Sequence, residues 1–246
     1  MAIGNVTPDS FYASSRLPDE ASVIAWAHHA LANGANILDI GACSTRPNST
    51  PVDEETEWLR LEPALSALRK ELPEASLSLD TFRPEIARRA LESFGPMIIN
   101  DVSGGCEQMF ELVRKWGVSY VWTSRDNLKT TTRQLRDNYE STTSQLREIN
   151  WILDPGFGFH GGVEQDYEYL RNLDLLREFN RPILVGISRK SMIYKPLGLT
   201  PETCLAATQA LQLYALEHGA SILRTHDVRE TAQTIALWEQ IANQKC

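Results

Sequence analysis

Short apolar runs recur along the chain, each closing on a polar or charged residue and nearly all followed by a stretch with helical spacing. The apolar parts are Met1–Gly4, Asn36–Leu38, Leu77–Leu79, Met97–Ile99, Tyr120–Trp122, Trp151–Leu153, Ile183–Ile187 and Ser221–Leu223. They end at Asn5, Asp39, Asp80, Asn100, Thr123, Asp154, Ser188 and His226. The runs are continuous rather than alternating, as expected of strands buried on both faces of a parallel sheet. Gly34, Gly95, Gly117 and Gly219 each stand shortly before a run, where a helix exit favours a left-handed residue.

The intervening stretches predict helices. Pro18-Asp19 opens one with Ile24, Ala27 and Leu31 on a single face, and Val52 to Leu72 carries Leu59, Leu65 and Leu68 among charges. Thr200-Pro201-Glu202 reads as the cap and first two positions of a helix to His218 that buries Leu205, Leu213 and Leu216. The last helix, from Val228 to about Asn243, carries Ile235, Leu237, Trp238 and Ile241, and the polar run Arg125–Arg147 reads as a long loop and exposed helix. Each unit is about 30 residues, the size of a strand plus crossover helix. The expectation is one α/β domain spanning residues 1–246: a single (β/α)8 barrel, a parallel eight-stranded barrel with outer helices. A doubly wound open sheet uses the same signals. Eight runs, with polar groups at nearly every end, favour the barrel.

Charge and composition narrow the function. The net charge of −8 argues against nucleic-acid or anionic-membrane partners, so an anionic ligand needs a local cluster of cations or a metal. Cys43, Cys106, Cys204 and Cys246 are widely spaced and form no zinc or disulfide framework. The first residues run straight into Asn5 and a turn, without the look of a signal peptide or spanning helix, and a cytoplasmic location is expected.

In a barrel the ligand site is assembled at the C-terminal ends of the strands. Singly, each polar end has an ordinary explanation. Asp80-Thr81 can cap a helix near Pro84, Asn100-Asp101 one at Cys106, and Ser188-Arg189-Lys190-Ser191 can be a solvated basic loop. Together, at successive strand ends, they point to one polar ligand.

The segments NVTPDSF (5–11), STRP (44–47), SLDT (78–81), IINDVSGG (98–105), ILDPGFGF (152–159), GISRKS (186–191) and ILRTHDV (222–228) carry a resemblance in order along nearly the whole chain. The sequence resembles the dihydropteroate synthases of folate biosynthesis. The resemblance implies a TIM barrel. It implies a transferase that joins (7,8-dihydropterin-6-yl)methyl diphosphate to p-aminobenzoate, releasing diphosphate, with Mg²⁺. It implies Asp80, Asp154, Lys190 and Arg224 as the catalytic set. Thr45, Arg46, Asn100, Thr225 and His226 join them around the pterin diphosphate. Phe11, Thr45, Pro47, Phe159, Lys190 and Ser191 are implied for p-aminobenzoate, Asn5 for Mg²⁺, and a homodimer for the assembly. The chemistry fits: buried carboxylates accept from a pterin's amino and ring N–H groups, Asn100 has both a donor and an acceptor, and Arg224 suits a ring face. Two aromatics and a proline suit an aryl ring.

The chain departs from the family pattern in three places. Trp122-Thr123-Ser124-Arg125 replaces a Met-His-Met stretch, with Trp122 read as a core residue. His160-Gly161-Gly162 follows GFGF in place of a small residue and a Lys, and the chain begins at strand one. Two other readings share the barrel: a pterin-dependent methyltransferase, which has no use for the diphosphate-handling Asn5, Arg46, Arg224 and His226, and a non-catalytic pterin-binding paralogue.

Overall fold

The computed structural model describes residues 1–6, 17, 19–43, 52–124, 144–159 and 161–242. Eight strands lie among them, most of them followed by a helix: β1 (Ala2–Asn5), β2 (Leu38–Gly41), β3 (Leu77–Asp80), β4 (Ile98–Asp101), β5 (Ser119–Thr123), β6 (Asn150–Asp154), β7 (Leu184–Val185) and β8 (Ile222–Leu223). The helices are α1 (Glu20–Ala32), α2 (Glu54–Glu71), α3 (Pro84–Phe94), α4 (Glu107–Trp116), α5 (Val163–Arg171), the single turn α6 (Ser191–Tyr194), α7 (Leu205–Glu217) and α8 (Val228–Ala242).

Strands β1 to β6 pair in sequence order, all parallel, and β7 pairs with β8. Two isolated bridges, Leu153 to Ile183 and Ala2 to Thr225, join the two pieces. Thr225 N–H donates to the Met1 carbonyl at 2.9 Å and Leu153 N–H to the Pro182 carbonyl at 2.9 Å. The eighth strand thus returns to the first, and the sheet is a closed barrel rather than an open doubly wound one. The seventh strand is shorter than the run Ile183–Ile187 predicts, because the chain turns after Gly186 and Lys190 N–H folds back onto the Ile187 carbonyl at 3.1 Å. Strand β2 is longer: it continues past Asp39 to Gly41 and leaves that carboxylate inside the barrel.

Two apolar layers follow from the period-two alternation of the strands. Val121, Ile152 and Leu184, with Met1, Ile98 and Ile222 against them, fill the lumen. Their neighbours on the opposite face, such as Leu38, Leu79, Tyr120, Leu153 and Val185, belong to the larger layer between sheet and helices. At about 25 cal/mol per Å² of apolar surface removed from water, this outer layer is the main stabilising term.

The helices dock by faces that differ in detail from the periodicity. Helix α1 buries Val23, Ala27 and Ala30 rather than Ile24, so that Trp26 lies over Gly4, where an added Cβ would meet the indole at 2.7 Å. Helix α2 buries Trp58, Leu61, Leu65 and Leu68 and leaves Leu59 61% exposed. Helix α7 begins at Leu205, not Thr200, and buries Thr208, Gln212, Ala215 and Leu216, with Leu205 and Leu213 half-buried. Residues Thr200–Thr203 instead form a turn whose Pro201 and Glu202 carbonyls accept from Arg189, so they are not free to start a helix. On α8, Ile235 and Trp238 pack on the core while Leu237 and Ile241 face outward. Most of Arg125–Arg147 lies outside the described residues; residues 144–148 form turns.

Candidate active site

The lumen's apolar plug ends abruptly. Two residues further along the same faces from Ile98, Val121, Ile152, Leu184 and Ile222 stand Asn100, Thr123, Asp154, Gly186 and Arg224, and the register sets Asp80 beside Asn100. Asp39 and Ser78, paired across β2 and β3, form the polar floor on that side. The rim of the barrel therefore carries three carboxylates, an amide and an arginine above a hydrophobic base, with Lys190 reaching in from the turn after β7.

Arg224 organises this cluster. Its Nε donates to Asp39 Oδ2 and its Nη2 to Asp80 Oδ2, each at 2.6 Å. Asp39, fully buried, also accepts from Ser78 Oγ at 2.6 Å and from Asn100 Nδ2 at 3.2 Å. Gly41 leaves room for Asp80, whose Cβ would stand 3.1 Å from a Cβ at that position. Two buried acceptors in the cluster lack a hydrogen-bond partner: Asp80 Oδ1 and Asn100 Oδ1. A buried acceptor left unmade costs about 1–3 kcal/mol, which makes the pair a place where a ligand's donors gain the most.

The other side of the rim is built from Asp154 and Lys190. Asp154 Oδ1 accepts from Gly156 N–H at 2.8 Å, the turn expected of Asp-Pro-Gly, and Oδ2 accepts from Thr123 Oγ1 at 3.3 Å. The Lys190 ammonium donates to the Phe157 carbonyl and lies 5.2 Å from the centre of the Phe159 ring, a cation over an aromatic face. Gly158, at φ +86°, lets that side chain pass, because an added Cβ would stand 3.2 Å from Lys190 Cδ.

Burial sets the protonation of the cluster. It pushes the Asp80 carboxyl up to about 7, with Arg224 pulling it down and Asp39 pushing it further up. Burial likewise raises Asp154 and lowers Lys190, and each is partly corrected by the other's charge. Arg224 is held above its ordinary value: burial opposes the charge, and the Asp39 and Asp80 carboxylates outweigh it. The protonated form of Asp80 is therefore favoured well beyond that of an ordinary carboxylate.

The remaining candidates fall into place around this centre. Asn5 ends β1 on the rim, half-buried. Its carbonyl accepts from Leu17 N–H at 2.9 Å. His226 Nδ1 is 3.1 Å from Ser188 Oγ, and Ser191 opens the single-turn helix α6. Thr225 faces away from the lumen: its hydroxyl bonds Ser188 and Thr231, and its backbone joins β1. Phe11, Thr45, Arg46 and Pro47 lie outside the described residues, as do Arg125 and His160. Trp122 is a core residue, with Nε1 donating to the Gly104 carbonyl at 2.7 Å and its ring edge-on to Trp151.

The ordinary explanations of the motifs do not hold. Helices α3 and α4 have no side-chain cap from Asp80, Asn100 or Asp101, and Asp101 instead accepts from Ser103 N–H and Tyr120 Oη. The SRKS turn is not a solvated basic loop. Arg189 is 5% exposed and paired through Nε and Nη2 with the two oxygens of Asp227.

Sequence reasoning placed Asp39 at a strand end without including it in the named site, and gave no role to Glu57. A lone acid inside the apolar stretch from Ile37 to Ile40 was the available signal, since a buried carboxylate persists only with partners. Glu57, fully buried on α2, accepts from Thr81 Oγ1 at 2.7 Å and from Arg83, which also donates to the Val52 carbonyl. It fixes the exit of β3 just beyond Asp80.

Fold and site together define a parallel-barrel enzyme that binds a small ligand rich in donors at its strand ends. Residues 1–226 match the family described as pterin binding enzyme. The chain is 34% identical over 254 residues to the dihydropteroate synthase of Streptococcus pyogenes serotype M6, covering 98% of this chain and 94% of that one. A crystal structure of Clostridium difficile dihydropteroate synthase with pteroic acid superimposes with a TM-score of 0.88 at 32% identity, over 98% of this chain and 95% of that one. That of the Yersinia pestis enzyme with a sulfonamide drug gives 0.88 at 29%, over 99% and 94%. The chain belongs to the pterin-binding enzymes, among the dihydropteroate synthases.

Proposed function

We propose that the chain condenses (7,8-dihydropterin-6-yl)methyl diphosphate with p-aminobenzoate, giving 7,8-dihydropteroate and diphosphate in folate biosynthesis. The observation that carries this reading is the pair of buried, unpartnered acceptors, Asp80 Oδ1 and Asn100 Oδ1, side by side on adjacent strands. A pterin's 2-amino and ring N–H groups form a donor edge of matching chemistry. Asp154 and Lys190 line the opposite rim, Lys190 serving as donor to the ring's acceptor side.

The reaction needs no covalent enzyme intermediate. The leaving diphosphate departs from the pterin methylene, and the neutral arylamine nitrogen attacks the electron-poor carbon and then loses a proton. The carboxylates at Asp80 and Asp154 stabilise positive charge developing on the pterin, while Arg224 and His226, with Arg46 by sequence, meet the diphosphate. Positioning of the two substrates supplies the rest.

Mg²⁺ belongs to the same reading. Among the described residues no group of three His, Cys, Asp or Glu side chains is placed to hold a metal. A single amide at Asn5 fits an ion that keeps its waters and takes substrate oxygens, and the chemistry it supplies is neutralisation of the diphosphate. A cytoplasmic homodimer completes the reading. No helix among the described residues is long and apolar enough to cross a membrane, and the outward Leu237 and Ile241 on α8 suit a partner copy.

The test is diphosphate release from the dihydropterin diphosphate with Mg²⁺, with and without p-aminobenzoate. Release that depends on p-aminobenzoate and yields dihydropteroate supports the synthase. Tight pterin binding without turnover moves the chain to a non-catalytic role.

A further inference from the structure

Asp39 lies beneath the ligand site and its carboxylate is fully buried. It has four hydrogen-bond contacts from three side chains: Ser78 Oγ at 2.6 Å, Arg224 Nε at 2.6 Å, and Asn100 Nδ2 at 3.2 Å to one oxygen and 3.3 Å to the other. An ionised carboxylate only accepts, so the amide of Asn100 must turn its NH₂ toward Asp39 and its oxygen away. That oxygen has no partner and is buried, as is Asp80 Oδ1 one strand over. Asp80 Oδ2 is meanwhile occupied by Arg224 Nη2, and the guanidinium is held in that pose by Asp39 through Nε. One buried carboxylate thus decides which atoms of two neighbouring residues are left to face the lumen. Both of those atoms are acceptors.

We propose that Asp39 is a positioning residue for ligand binding: by fixing the Asn100 amide and the Arg224 guanidinium, it presents Asn100 Oδ1 and Asp80 Oδ1 as a matched pair of acceptors for a two-donor ligand edge. The proposal rests on the pterin reading above and sharpens it. Asn100 contributes its acceptor to the ligand, and its donor belongs to Asp39. The selectivity of the site for a 2-amino pterin then originates in a residue that does not touch the pterin.

Asp39→Asn tests this without changing side-chain size. The new amide places an N–H against Asn100 or Arg224, so the Asn100 amide flips or tilts and its oxygen leaves the ligand side. The measurement is the dissociation constant of 6-hydroxymethylpterin and of its 2-desamino analogue, by fluorescence or calorimetry on the full chain. Wild type should prefer the 2-amino compound about tenfold or more, the worth of one hydrogen bond to a charged or buried acceptor. In Asp39→Asn that preference should collapse toward unity, while KM for p-aminobenzoate at saturating pterin diphosphate stays near wild type. Asp39→Asn/Asn100→Asp exchanges the carboxylate and the amide, again leaves an acceptor facing the ligand, and should restore most of the preference. Should Asp39→Asn not fold, Ser78→Ala loosens the same carboxylate and should lower the preference in part.

A folded Asp39→Asn, or Ser78→Ala in its place, with the full wild-type preference would overturn the proposal, and so would a double variant no better than either single one. Wild type that binds neither pterin would instead overturn the pterin reading itself.

Discussion

Replacing Arg189 with alanine is the sharpest test of how the turn bearing Lys190 and Ser191 is held. Arg189 and Asp227 are 5% and 10% exposed, and the pair is bidentate at 2.9 and 2.7 Å. The remaining nitrogen donates to the carbonyls of Pro201 and Glu202, tying the turn before α7 to the turn after β7. Truncation leaves a largely buried carboxylate and the Pro201 and Glu202 carbonyls without their donor. Removing one member of a buried pair costs about 3–5 kcal/mol. Alanine gains nothing back from the backbone, since position 189 sits at φ 56° and any residue with a Cβ is strained there. At about 2–4 °C per kcal/mol for a chain of this length, the melting temperature should fall by about 6–20 °C. Thermal unfolding followed by circular dichroism at pH 7 measures it, alongside Asp227→Ala and the double variant. The double variant has no orphaned charge, so its loss should be smaller than the sum of the singles by about 2 kcal/mol. A fall of less than about 3 °C for Arg189→Ala, or strict additivity, would refute the description of this pair as a buried clamp.

Other consequences are equally measurable. Lys190→Ala and Asp80→Ala should each nearly abolish dihydropteroate formation, with far-ultraviolet dichroism unchanged. Wild-type-like turnover in either would remove it from the site. Because Asp80 is pushed up to about 7, pterin affinity should rise with pH through that value as the carboxylate ionises, and Asp80→Asn should flatten the profile. Calorimetry in two buffers should correspondingly show net proton release on binding near pH 7. Gly105→Ala should be destabilising and refold poorly, since φ is +83° and the new methyl would lie 2.4 Å from the Phe110 ring and 2.8 Å from the Tyr120 hydroxyl; a melt unchanged from wild type counts against that packing. Sulfonamides should compete with p-aminobenzoate, and inhibition noncompetitive with p-aminobenzoate would argue against an arylamine pocket built on Phe11, Pro47 and Phe159.

Strand ends were legible because parallel burial makes each strand an apolar run, and a polar residue at the end of such a run has few reasons to be there. Asp80, Asn100 and Asp154 were located in that way, and Lys190 and Arg224 through the family resemblance; the structure brings Asp80, Asn100 and Arg224 into one cluster joined through Asp39. Helix faces were less legible. Leu59 and Leu237 fit a helical stripe by spacing, but packing around a barrel selects a rotated face that takes Trp58 and Trp238 inward. The start of α7 was misread for a tertiary reason: the carbonyls at Pro201 and Glu202 are claimed by Arg189 from the turn after β7. The charge state was invisible in the sequence too. Arg224 was expected to face a ring and a diphosphate, and without them it is bonded to two carboxylates whose spacing only the closed sheet defines.

The manner of closure has a mechanical consequence. Strands β7 and β8 pair over two residues, and a lone bridge on either side attaches them to the other six. Arg224 follows β8, and both of its carboxylate partners sit on β2 and β3 across that junction. The guanidinium proposed above for the diphosphate is therefore a rivet through the weakest joint of the cask. An anion that drew the arginine toward itself would slacken the rivet, and its departure would let it seat again. Amide exchange at Thr225 and Leu153, the two bridge positions, would register each tug as the substrate comes and goes.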